Sequence, residues 1–249
     1  MHAVLLSHRP GSVVPSHTSA AVLHGLSLYR PDLTRVHLTV LDGAAGRRGP
    51  DVVYHQGDVG PSDLVTAEVT VMEPVRTALE AASLADVEAG LVVLDALLHR
   101  GLADLGAVWA AYKRMTRWPG TLRLQTTVRL ARHGAESVGE SRARHLCWWA
   151  GVPEPVLQHP VRDRDGQLIG LSDFWWPDQR LLGEFDGAVK YGRLLRPGET
   201  AGDAVFREKQ REDRMREAER ASMIRFVWSD LSQRGVTARR LRHALGLDR

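Results

Sequence analysis

A chain of 249 residues with 43% hydrophobic and 25% charged content can bury one large core or two small ones. No stretch nears the about 18 unbroken apolar residues that a membrane helix needs, and MHAVLLSHRPGS lacks the basic start and apolar length of a secretory signal, so a cytoplasmic protein is expected. A lone cysteine, Cys147, excludes a disulfide framework or a cysteine-rich zinc site, and a net charge of +3 does not by itself imply a nucleic-acid partner.

In chain order, SAAVLHGL (19–26) predicts a helix stopped near Gly25, and RVHLTV (35–40) alternates as a strand does. GAAGRRGPD (43–51) reads as a glycine-rich turn before VVYHQG. Pro74 opens a helical region: VRTALEAASL, then VEAGLVVLDALLHRG ended by Gly101, then LADLGAVWAAYKRM stopping before WPG (118–120). LRLQTTVRLARHG is ambiguous between helix and strand. From Ser137 the texture changes. SVGESRARHLCWWAG reads as a helix closed by Gly151, and LQHPVRD, QLIGLSDFWW and RLLGEFDG read as strands separated by DRDG and PDQ. A charged helix DAVFREKQREDRMREAERA, a strand MIRFVW and a helix VTARRLRHALG complete an α, β, β, β, α, β, α order. Residues 1–130 carry 12 basic and 12 acidic side chains and residues 131–249 carry 21 and 18, so the basic excess lies in the second half. The expected fold is α+β, with a small α+β region over 1–130 and a second domain over 131–249.

The stretch SDFWWPDQRLLGEFDG (172–187) places Asp173, Glu184 and Asp186 among large apolar residues. Pro177-Asp178-Gln179 is a turn, since proline presets the dihedral and aspartate bonds its own backbone. A hairpin turning between Asp178 and Gln179 pairs positions that sum to 357, which sets Asp173 opposite Glu184 with Asp186 two residues farther along the same face. Ile169, Leu171 and Leu182 share that face, so three carboxylates are expected to converge toward protein. Burial of unpaired carboxylates is costly unless a cation or a proton compensates, and hard oxygen donors suit Mg²⁺ or Mn²⁺. The bland alternative is an edge position where Arg180 or Arg225 neutralises the acids. Glu140, in the capping-box pattern Ser137-Val138-Gly139-Glu140, either satisfies its helix start or follows the helix face at i, i+3, i+7 with Ala143 and Cys147 toward the sheet. Trp175 and Trp176 offer stacking surfaces for a base, although hairpin tryptophans are more often core and one of the pair must face away. His24, His37, His55 and His99 show no ligand spacing, whereas His145 and His159 flank the acidic stretch and are candidates for a general base.

A helical Glu140, a Gln158 ahead of a strand in Leu157-Gln158-His159-Pro160, an Asp173-Phe174 at a strand end, and, ten residues on, Glu184-Phe185-Asp186-Gly187 before a charged helix together resemble the domain related to very-short-patch mismatch repair endonucleases. That domain belongs to the restriction-endonuclease-like superfamily with its PD-(D/E)-x-K motif, and the resemblance covers 130–249. It implies an αβββαβα core with a mixed sheet, Mg²⁺ or Mn²⁺ as cofactor, and hydrolysis of DNA phosphodiesters. Asp173 and Glu184 become metal ligands, Glu140 a further acidic site residue and Gln158 an oriented polar residue. Asp186 occupies the usual lysine position, a departure that leaves Lys190, or Arg207, Lys209 or Arg211 on the next helix, to offset phosphate charge. SHTSAAVLHGL (16–26) is similar to a stretch in type IV antitoxins of the abortive-infection class, whose winged helix precedes it. About 15 residues precede it here, so that head is expected to be missing. The alternative to an endonuclease is a non-catalytic DNA-binding or antitoxin-like module that keeps the nuclease fold.

Overall fold

The helix expected from SAAVLHGL begins two residues earlier, at His17, in the computed structural model, which describes residues 2–66, 68–115, 118, 120–187 and 200–248. The chain divides into two units, Met1–Val138 and Gly139–Arg249. Both mix helices and strands, so the architecture is α+β.

In the first unit α1 (His2–Leu6), which the sequence pattern did not suggest, precedes β1 (Val13–Pro15), α2 (His17–Leu23) and β2 (Val36–Val40). The glycine-rich stretch 43–51 is not all turn: Arg47–Arg48 forms β3, which pairs antiparallel with β4 (Val52–His55). The sheet order is β1-β2-β4-β3, with β2 and β4 parallel. A hairpin of β5 (Leu64–Thr66) and β6 (Thr70–Met72) follows. Helices α3 (Pro74–Ser83), α4 (Val87–His99), α5 (Leu105–Arg114) and α6 (Thr121–Leu130) come next. Their starts are written in the sequence. Glu73 accepts from the Val75 and Arg76 backbone N–H groups, and Asp86 and Asp104 cap α4 and α5 in the same manner. The ambiguous LRLQTTVRL is helical, because Leu124 and Val128, four apart, both enter the helical core beside Leu79, Leu94 and Leu97.

The second unit begins on α7 (Val138–Trp149), which Gly151 closes with φ +62°. Then come β7 (Val156–Arg162), β8 (Leu168–Trp176), β9 (Leu181–Phe185), α8 (Ala201–Glu219), β10 (Ser222–Phe226), α9 (Trp228–Ser232) and α10 (Arg234–Ala244). The sheet order is β10-β9-β8-β7; β7, β8 and β9 run antiparallel and β10 joins β9 in parallel. The expected α, β, β, β, α, β, α order is present, with α9 as an added short helix. Strand alternation gives the sheet two buried faces. Phe174, Trp176, Leu181, Phe185 and Phe226 meet Leu146 and Cys147 of α7 and Leu241 of α10, whereas Trp175, Leu182 and Val161 meet Met215 of α8. The unit is therefore three layers, helix on sheet on helix. Cys147 is a buried small hydrophobe, its thiol pushed up to about 12 by desolvation. Among the described residues no helix is long and apolar enough to cross a membrane.

Candidate functional site

The β8–β9 ladder runs through Trp176↔Leu181, Trp175↔Leu182 and Phe174↔Gly183, each summing to 357 as the turn chemistry requires. It stops one pair short of Asp173 and Glu184. There side chains take over from backbone: the Ser172 hydroxyl lies 3.0 Å from the Gly183 carbonyl, and Asp173 Oδ2 accepts the Phe185 N–H at 2.8 Å. A backbone donor that the ladder no longer serves is thus satisfied by a carboxylate, and the two strands part at this point.

Glu184, 8% exposed, lies one strand from Arg225, with which it is in register, and one layer from Arg211 of α8. Arg211 Nη2 donates to Glu184 Oε1 at 2.9 Å and Arg225 Nη2 lies 3.6 Å from Oε2. Arg225 also reaches Glu212 at 2.7 Å and Asp186 at 3.8 Å, while Arg211 is shared with Glu208 through contacts of 2.6 and 3.1 Å. The alternative in which Arg225 neutralises the acids holds for Glu184 and Asp186, and Arg211 adds a second guanidinium at Glu184. Even so, burial pushes the Glu184 carboxyl above its ordinary range, the arginines opposing the shift and Glu208 and Asp173 adding to it.

A carboxylate whose pKa rises on folding favours the fold below its unfolded pKa of about 4.5 and loses that contribution as pH rises through the folded value. Glu184→Gln is accordingly expected to be neutral or stabilising by about 1 kcal/mol at pH 7, with no gain at pH 4. Urea unfolding at both pH values measures this, and destabilisation at pH 7 would mean the ion pairs outweigh the burial.

On β7, Gln158 lies opposite Asp173, between the pairs Leu157↔Phe174 and His159↔Ser172, and its φ is +50°. A left-handed non-glycine residue inside a strand costs about 1–2 kcal/mol and tends to persist at functional sites. Its Nε2 donates to Glu140 Oε2 at 3.2 Å, so buried Glu140 of α7 reaches the place where β8 leaves β9. Glu140, Gln158, Asp173 and Glu184 therefore occupy one neighbourhood, and Asp186 joins it through Arg225. Lys190 lies outside the described residues.

The hairpin tryptophans are core residues on opposite faces of the sheet, as hairpin tryptophans usually are, and offer no stacking surface for a base. Trp176 is buried with its Nε1 donating to the Pro153 carbonyl, and Trp175 is buried against the His159 ring at 5.1 Å. Exposed tryptophans lie elsewhere, Trp148 and Trp149 at the end of α7, at 47% and 50%, and Trp228 at 40%. His159 Nε2 meets Glu219 Oε1 at 2.9 Å, and His145 is buried with its ring 5.4 Å from that of Trp148.

Among the described residues the only His, Cys, Asp or Glu group of three with donor atoms all within 4.8 Å of one another is not acidic at all: it is His17, His37 and His55 of the first unit. His37 and His55, which show no ligand spacing in the sequence, are brought together with His17 by the fold. His37 and His55 come from the parallel neighbours β2 and β4, where His55 stands beside Thr39, and His17 opens α2. His37 Nδ1 and His55 Nε2 are 2.8 Å apart, and the His17 and His55 rings stack with centroids 3.6 Å apart. Burial holds all three pKa values below the usual imidazole range, His55 to about 4. The signal that reveals them is strand adjacency, since the two intervals between them, 20 and 18 residues, carry no periodic pattern.

No family model matches the chain. It is similar to two curated proteins of Mycobacterium tuberculosis, "Uncharacterized protein MT2308" of strain CDC 1551 / Oshkosh and "Uncharacterized protein Rv2248" of strain ATCC 25618 / H37Rv. Each is 31% identical over 113 residues, 45% of this chain. The match spans 41% of those relatives' own length.

Proposed function

We propose that the second unit is a restriction-endonuclease-like module that hydrolyses DNA phosphodiesters with Mg²⁺ or Mn²⁺, in the manner of very-short-patch repair endonucleases. The observation that carries this reading is the meeting of Glu140, Gln158, Asp173 and Glu184 where β8 and β9 part, in a unit of αβββαβ order with a mixed sheet. Hard oxygen donors fit such an ion, with Asp173 and Glu184 as ligands and Glu140 beside them. Arg211 shares its guanidinium between Glu184 and Glu208, so Glu208 would remain as its partner if a divalent ion held the Glu184 oxygen. The ion supplies a lowered pKa for a reacting water and screening of the scissile phosphate. Gln158 orients Glu140, Asp173 fixes the β9 backbone, and Arg211 or Lys190 would offset charge on the phosphate in place of the lysine that Asp186 replaces.

A second reading, a non-catalytic DNA-binding or antitoxin-like module, draws on the Arg211 and Arg225 pairs, which already balance Glu184 without an ion. The full chain incubated with supercoiled plasmid and with nicked, mismatched and flapped duplexes under Mg²⁺ or Mn²⁺ separates them. Cleavage that chelator stops is expected; absence of cleavage together with absence of Mn²⁺ uptake by calorimetry leaves the second reading.

A further inference from the structure

We propose that His17, His37 and His55 form a three-histidine centre for a zinc-class divalent ion, with an open position facing a cleft in the first unit. It is independent of the acidic site and of the nuclease reading.

Three observations meet here. The first is the donor set: three imidazoles from α2, β2 and β4 whose ligand atoms all lie within 4.8 Å of one another. A hydrogen bond between His37 and His55 uses one nitrogen of each and explains neither the stacked His17 nor its backbone. The second is that backbone, since His17 has φ +50° at the first residue of a helix. Helices do not start left-handed without cause, and the conformation carries the ring onto His55. His17 Nδ1 lies 3.0 Å from Ser16 Oγ and 3.5 Å from the buried Glu80 carboxylate, which leaves Nε2 as the donor. A carboxylate behind a ligating imidazole is the usual outer support of a metal-bound histidine.

The third is the cleft, of about 500 Å³, lined by His17, His55, Thr39, Arg76, Glu80 and Tyr54 among others. Thr39 Oγ1 and Arg76 Nη2 are buried and have no hydrogen-bond partner among the described residues. Arg76 is otherwise fully engaged, through Nε to Glu80 and through Nη1 to Asp63 and the Asp58 carbonyl. Two orphaned polar atoms in the cleft that His17 and His55 line are the partners that a metal-bound water or oxyanion needs. Three protein nitrogens and one exchangeable position make an open zinc site rather than a closed structural one, and imidazole ligation selects a borderline ion over Mg²⁺.

Chelator-stripped full-length protein titrated with Zn²⁺ in a calorimeter is expected to bind one equivalent, and Co²⁺ is expected to give the intense visible bands of a four-coordinate site. His17→Ala, His37→Ala and His55→Ala should each weaken Zn²⁺ binding about a hundredfold or more, and the exposed His99→Ala should not. Circular dichroism monitors folding of the variants, and the wild-type Co²⁺ spectrum decides the matter should a variant fail to fold. No Zn²⁺ uptake by wild type, an octahedral Co²⁺ spectrum, or undiminished binding in folded His variants would each overturn the assignment.

Discussion

Asp173→Asn is expected to lower Mg²⁺-dependent DNA cleavage by on the order of a thousandfold while the fold survives. The reason lies in the two duties of one carboxylate. Asparagine keeps an oxygen that accepts the Phe185 N–H, the contact that closes the end of β9. It removes the negative charge that a divalent ion requires. Asp173→Ala loses both and should cost about 1–3 kcal/mol as well, since a buried backbone donor is left without a partner. Cleavage assays and urea unfolding on the pair separate the duties. An asparagine variant as active as wild type would reduce Asp173 to a backbone cap and remove the main support of the endonuclease reading.

Gly139→Val is expected to destabilise the second unit by about 1–3 kcal/mol, toward the upper end. A Cβ at Gly139 falls on the Phe185 ring, well inside van der Waals contact. Phe185 has nowhere to go: it is 4% exposed, lies in the core with Phe174 and Phe226, and meets Trp228 edge to face at 5.0 Å. The start of α7 must lift, and Glu140 is its next residue, so loss of cleavage should accompany the lower melting temperature. Thermal denaturation and the nuclease assay on one preparation test both. An unchanged melting temperature would mean that α7 rides on β9 more loosely than the glycine contact implies.

Much of the fold was legible because local chemistry announces it. Pro74, Gly101 and Gly151 mark helix ends through their own dihedrals, and Pro177-Asp178 sets a register that the ladder follows. Short elements escaped, since Arg47–Arg48, the hairpin of β5 and β6, and Trp228–Ser232 are too brief to show a period. At the acidic site the residues were readable and their partners were not. Arg211 lies 27 positions from Glu184 and meets it only because α8 folds back over β9. Arg225 stands beside Glu184 through a parallel pairing that no turn residue encodes. The three histidines are the same lesson in the other unit, joined by adjacency of β2 and β4.

Trp175 and Trp176 each fill a separate interior, one under α8 and one under α7 and α10. The hairpin is therefore keyed like a lock with teeth on both edges. Sliding it by a single position would drive each indole into the other compartment and swing the Asp173 carboxylate to the wrong wall. Two bulky uncharged rings thus dictate where that carboxylate points, and the strictest guardians of the acidic cluster carry no charge.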